Sequence, residues 1–143
     1  MYDILIKNGK VFDGSGVPAT NVDIGVKNGK IVEFGDFKDE KAITEINAEN
    51  RFVCPGFIDI DNEADHYLDI LTLPIAENLI RQGVSTIICG NSGASLAPLI
   101  SGSLDSIQKW ADSNHININW REIKDFFTFL DKKKPSVNFA TLI

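Results

Sequence analysis

The pattern Ile6-Lys7-Asn8-Gly9-Lys10-Val11 returns as Val26-Lys27-Asn28-Gly29-Lys30-Ile31, and no other local feature constrains the fold of this chain as much. Asn-Gly supplies the two positive-φ positions of a type I′ turn, and apolar or β-branched residues flank each copy at strand spacing. Both copies predict tight hairpins. The segments Asp3–Lys7, Lys10–Asp13, Asp23–Lys27 and Lys30–Phe34 are therefore expected as short antiparallel strands, with Gly14-Ser15-Gly16-Val17-Pro18 as a loop. Strands near Ile43–Asn47 and at Arg51–Val53 would complete a small β unit over residues 1–54.

After Pro55-Gly56 the pattern changes. Phe57-Ile58-Asp59-Ile60 is a short apolar run, and Pro74 to Gly83 has the proline start and glycine stop of a helix. Ser85–Cys89 follows as a buried strand ending in Gly90-Asn91-Ser92-Gly93, which makes a β-α-β unit with parallel pairing. Leu104–Ala111 and Trp120–Leu130 carry apolar residues at helical spacing, and Lys132-Lys133-Lys134 suits a helix C-terminus. Val137–Ile143 reads as a third buried strand. The fold class is thus α/β, with residues 55–143 forming the second unit.

With 143 residues, 43% of them hydrophobic, the chain can build a core without disulfides, burying about two-thirds of its unfolded surface. It is too short for a complete (β/α)₈ barrel, which needs roughly 200 residues. A net charge of -6 is the wrong sign for binding nucleic acid through its phosphates. Cys54 and Cys89 match no Cys-x-x-Cys pattern and are expected as reduced, buried thiols. The N-terminus reaches Lys7 without a signal-peptide apolar stretch, so a cytoplasmic setting is expected. The long uncharged run from Gly83 to Leu104 is broken by Ser85, Asn91, Ser92 and Pro98, and reads as a strand and loop rather than a membrane span.

The chemistry is concentrated in Asp59-Ile60-Asp61-Asn62-Glu63-Ala64-Asp65-His66, beyond the first parallel strand, where α/β sheets place ligands. If the strand stayed extended, the carboxylates at 59, 61, 63 and 65 would share one face and call for a cation or proton; the alternative is a solvated acidic turn. An EF-hand is excluded, since its invariant glycine would fall on Ala64 and its final glutamate on Ile70. Gly90-Asn91-Ser92-Gly93 could turn its amides or Ser92 toward a ligand, or be a simple tight turn. His66 and His115 are the only histidines, too few for a multi-histidine metal site, and His115 lies in a polar stretch expected to be exposed.

Several ordered motifs carry a resemblance. Tyr2-Asp3-Ile4-Leu5-Ile6-Lys7-Asn8-Gly9-Lys10-Val11, Phe52-Val53-Cys54-Pro55-Gly56-Phe57-Ile58-Asp59, Gln82-Gly83-Val84-Ser85-Thr86, Gly90 to Leu99 and Val137-Asn138-Phe139-Ala140 resemble the amidohydrolase superfamily. The branch most similar is that of the N-acyl-D-amino-acid deacylases, or D-aminoacylases. The resemblance implies a small β-sandwich, built mostly from the N-terminal segment and completed by C-terminal strands, beside a metal-dependent TIM-like (β/α)₈ barrel. It implies zinc that activates water for attack on the acyl carbon of an N-acyl amino acid.

Carried over residue by residue, the resemblance departs at the ligands. The two metal-binding histidines that follow Pro-Gly-Phe-Ile-Asp fall on Asp61 and Glu63, and the metal-binding cysteine of Gly-Asn-Cys-Gly falls on Ser92. A serine hydroxyl is a far poorer zinc ligand than a thiolate. Cys89 has the opposite strand parity to Ser92 and is not expected to replace it. Asp65 matches an acidic residue that commonly follows the histidine pair, which makes it the candidate catalytic position.

The expectation is therefore the N-terminal part of a β-sandwich followed by about three strands of an incomplete barrel. This would be the front portion of an amide-hydrolysing enzyme, inactive by itself. One alternative is a chain of a split or remodelled enzyme, with Asp61 and Glu63 offering oxygen ligands to magnesium, manganese or calcium. The other is a non-catalytic binding or assembly module. Open strand edges would invite a complementing chain or self-association. No nucleic acid or membrane partner is expected.

Overall fold

The computed structural model describes residues 1–93, 95–99, 104, 112, 114 and 116–143. They group into two compact units, Met1–Pro55 and Gly56–Ile143.

In the first unit, one of the two Asn-Gly copies turns the chain as its residues demand. β4 (Asp23–Lys27) and β5 (Lys30–Gly35) pair antiparallel with Lys27 opposite Lys30, and Asn28 and Gly29 hold φ of 52° and 71°. That is the predicted two-residue hairpin. The other copy does not make one. β1 (Tyr2–Lys7) is flanked by β4, antiparallel, and by β6 (Ala42–Asn47), parallel, so neither of its edges is free for the strand that follows. Asn8 anchors the strand end instead, its N–H donating to Asp23 Oδ1 at 2.8 Å and its Nδ2 to Asn47 Oδ1 at 2.9 Å. Gly9 serves close approach, since a Cβ there would lie 2.6 Å from Val53 Cγ2.

The chain then starts a separate sheet. β2 (Lys10–Val11) pairs antiparallel with β3 (Thr20–Asn21), a strand the sequence patterns did not indicate, and parallel with β7 (Phe52–Val53). β2 is shorter than expected because Asp13 Oδ1 accepts from the Ser15 N–H at 2.9 Å and from its hydroxyl at 2.6 Å, a local turn that competes with the ladder. Leu5, Val11, Ile24, Phe37 and Ala48 form the buried interior of this unit, while Ile31, Phe34, Ile43 and Ile46 on the strands are exposed. Cys54 is exposed as well, contrary to the buried thiol expected.

The second unit holds a three-stranded parallel sheet in the order β10-β9-β8: β8 (Phe57–Asp59), β9 (Val84–Cys89) and β10 (Asn138–Thr141). β9 is central, with Ile87 and Cys89 at 0% exposure. β10 lies at an edge and alternates between exposed and half-buried residues, so the expectation of a fully buried third strand is corrected. The helix expected from Pro74 to Gly83 shrinks to α2 (Glu77–Ile80), after a short α1 (Asp69–Thr72). Past α2 the amides of Gln82 and Gly83 reach only three residues back, and Gly83, at φ 80°, ends the segment as its glycine stop requires.

α3 (Ile123–Lys133) begins three residues later than the periodicity suggested. Trp120 lies ahead of it in the core, its indole N–H donating to the Leu96 carbonyl at 2.8 Å, and Glu122 is extended. Trp120, Phe126 and Phe139 pack in sequence at ring separations of 5.4 and 5.8 Å. Lys132 and Lys133 occupy the last turn, where the helix dipole favours positive charge. The helix expected over Leu104–Ala111 lies, apart from buried Leu104, outside the described residues, as does His115. Among the described residues no helix is long and apolar enough to cross a membrane.

Candidate active-site segment

β8 ends at Asp59, and the chain bends at once. Asp59 accepts from the Asp61 N–H at 3.3 Å and from Asn62 Nδ2 at 2.7 Å, which closes a turn where an extended strand was considered. The four carboxylates therefore do not share a face. Asp61 and Glu63 are exposed, Asp59 is half-buried, and Asp65 has 0% exposure.

Asp65 is the organised member of the set. Its Oδ2 accepts from the Gly90 N–H at 2.6 Å and its Oδ1 from the His66 N–H at 2.9 Å. Burial pushes its carboxyl above the usual range, against the pull of these two amides. His66 is also buried, and its Nδ1 lies 3.4 Å from Asp65 Oδ1 with no hydrogen-bond partner among the described residues. Asn62, which sequence reading did not single out, adds a second tie, donating its N–H to the Ile88 carbonyl at 3.1 Å. An Asx-type residue just past a strand end was the only available signal for it.

On the β9 side, Ser92 sits in the Asn91–Gly93 turn with φ 57° and is exposed. β9 has ended at Cys89, so the alternation of a strand does not extend from Cys89 to Ser92, contrary to the parity expected. The Cys89 sulfur lies 4.0 Å from Asn62 Oδ1. Burial first, and the Asp65 charge second, push its thiol up to about 12. In this surrounding the free thiol stays protonated at ordinary pH.

These donors do not fit zinc. Asp61, Glu63 and Ser92 are exposed, Asp65 is committed to backbone amides, and no three His, Cys, Asp or Glu side chains converge among the described residues. A cleft of about 910 Å³ opens beside the segment, lined by Asn62, Glu63, Tyr67, Leu73, Ile75 and Leu79 among others. Glu63 reaches it; Asp61 and Ser92 do not line it.

Comparison with known proteins agrees with this strand-rich α/β arrangement. No family model matches the sequence. D-aminoacylase of Alcaligenes xylosoxydans xylosoxydans is 40% identical over 142 residues, covering 99% of this chain and 29% of the relative. The crystal structure of N-acyl-D-glutamate deacylase from Bordetella bronchiseptica, complexed with zinc and a phosphonate inhibitor that mimics the tetrahedral intermediate, matches with a TM-score of 0.81. It is 28% identical, over 99% of this chain and 29% of that one. The crystal structure of a D-aminoacylase that defines a subset of amidohydrolases matches with a TM-score of 0.80 at 27% identity, over 100% of this chain and 30% of that one.

The fold is thus that of the N-terminal region of an amidohydrolase. Within that class the chain belongs with the D-aminoacylases and N-acyl-D-amino-acid deacylases, and it corresponds to their N-terminal part. It spans less than a third of the length of these relatives.

Proposed function

We propose that this chain is the front segment of an enzyme that hydrolyses the amide bond of N-acyl-D-amino acids, and that the described residues do not make a working active site by themselves. Residues 1–54 are the N-terminal part of the sandwich, and residues 55–143 carry the opening strands of a TIM-like barrel. The observation that carries this reading is the full-length match to relatives more than three times as long, named for that activity. The open sheet supports it: β8 and β10 are both edge strands, and Phe57, Ile58 and Ile60 are exposed where a closed barrel would cover them. The exposed Ile31, Phe34, Ile43 and Ile46 likewise suit a sandwich completed by further strands.

Because the residues at the zinc positions do not fit the metal, no catalytic step is routed through it. What the chain's own residues do is structural support at the strand ends: Asp65 and Asn62 fix the loop after β8 against the end of β9. The test has two arms. The purified chain, assayed with N-acetyl-D-amino acids with and without added zinc, is expected to give no hydrolysis above the blank, and metal-dependent turnover would overturn the reading. Co-expressed with the remaining segment of a D-aminoacylase, it is expected to co-purify as a complex; failure to associate counts against the shared architecture.

A further inference from the structure

In a metal centre with ligands on two neighbouring strand ends, the ion is also a cross-link between them. At the corresponding place this chain has a cross-link of another kind. The Asp65 carboxylate, with no exposure, receives the Gly90 amide from the end of β9 at 2.6 Å and the His66 amide from its own loop at 2.9 Å. Asn62 reinforces it through the Ile88 carbonyl, and Ala64 folds back on Asn62 Oδ1 at 3.0 Å. A buried carboxylate that accepts two backbone amides makes charge-assisted bonds, roughly twice as strong as neutral ones. Asp61, Glu63 and Ser92 take no part in this tie and are exposed to water.

We infer that Asp65 is the positioning residue that holds the loop after β8 to the end of β9, and that this junction needs no zinc on Asp61, Glu63 and Ser92. The identification of those three as the zinc positions rests on the D-aminoacylase reading; the hydrogen-bonded tie does not. Gly90 gives the tie its geometry. Its φ of 81° turns the amide at the strand end, and the space where a Cβ would stand is filled by Leu142 and Thr141.

The experiment uses the whole chain and does not depend on activity. Equilibrium dialysis against zinc chloride is expected to leave the chain without a stoichiometric equivalent of zinc at micromolar free metal, and melting in zinc or in EDTA is expected to give the same Tm. One equivalent bound, or a Tm raised by zinc, overturns the inference while leaving the family reading intact. The positioning role is read at Gly90 by NMR: its amide proton is expected downfield and protected from exchange, and in Asp65→Asn it moves upfield and loses protection while Ile87 keeps its own. An unmoved Gly90 resonance overturns the role. Should Asp65→Asn fail to fold, the triple variant Asp61→Asn, Glu63→Gln, Ser92→Ala decides the matter. It is expected to keep the parent Tm and Gly90 signal, and loss of either overturns the inference.

Discussion

Gly90→Ala and Gly93→Ala make a matched pair, because both glycines hold left-handed φ, 81° and 74°, but differ in what surrounds them. Among the described residues, a Cβ on Gly93 meets nothing within 4 Å. A Cβ on Gly90 would stand 2.5 Å from the Leu142 carbonyl oxygen and 2.8 Å from both the Leu142 nitrogen and Thr141 Oγ1. Those backbone atoms cannot simply retreat, since the Leu142 N–H donates to the Cys89 carbonyl at 2.9 Å. Each variant costs about 1–2 kcal/mol for placing alanine in the left-handed region. Overlap with a fixed backbone adds about 1–3 kcal/mol at Gly90 alone. Urea unfolding followed by tryptophan fluorescence separates the two: with a slope of about 1 kcal/mol per molar, the midpoints should differ by roughly 1–3 M. Equal midpoints would refute the claim that the end of β10 is packed against Gly90.

Two further outcomes follow from buried groups. Under native conditions at pH 8, iodoacetamide is expected to modify exposed Cys54 and spare Cys89, whose thiol, with a pKa of about 12, is protonated throughout that range; peptide mapping that found both labelled at one rate would contradict the burial. Trp120→Phe keeps an aromatic ring beside Phe126 and Phe129 but removes the donor to the Leu96 carbonyl, and is expected to cost about 1–3 kcal/mol by chemical denaturation. An unchanged midpoint would show that the bond carries no weight.

The two Asn-Gly copies show how far sequence reading reaches. Local chemistry fixes which turns are possible, and at Asn28-Gly29 it is sufficient, because β1 takes only one edge of β4 and the other is open to β5. At Asn8-Gly9 the same dipeptide is overruled by a non-local partner, β6, which local sequence does not reveal. The parallel trio β8, β9 and β10 was legible from apolar runs and their punctuation, since strand pairing there follows from the β-α-β spacing. The start of α3 was not, because Trp120 has helical spacing but spends its indole on Leu96 ahead of the helix. In the acidic segment, residue types marked a candidate place, and the turn at Asp59 decided how its carboxylates are arranged. Asp65 was singled out on resemblance, whereas its partner Gly90 became visible only once β9 and the loop were brought together.

The central place of β9 sets a limit on how this sheet can ever be completed. Both of its edges are spent, on β8 and on β10, so any added strand must join outside one of those two. Strands lie about 4.8 Å apart, which puts the nearest newcomer roughly 10 Å from β9. A side chain from such a strand cannot reach the Ser92 turn sideways through the ladder. It has to arrive across the rim, above the ends of the strands. At that rim the Asp65 carboxylate already ties the loop after β8 to the end of β9.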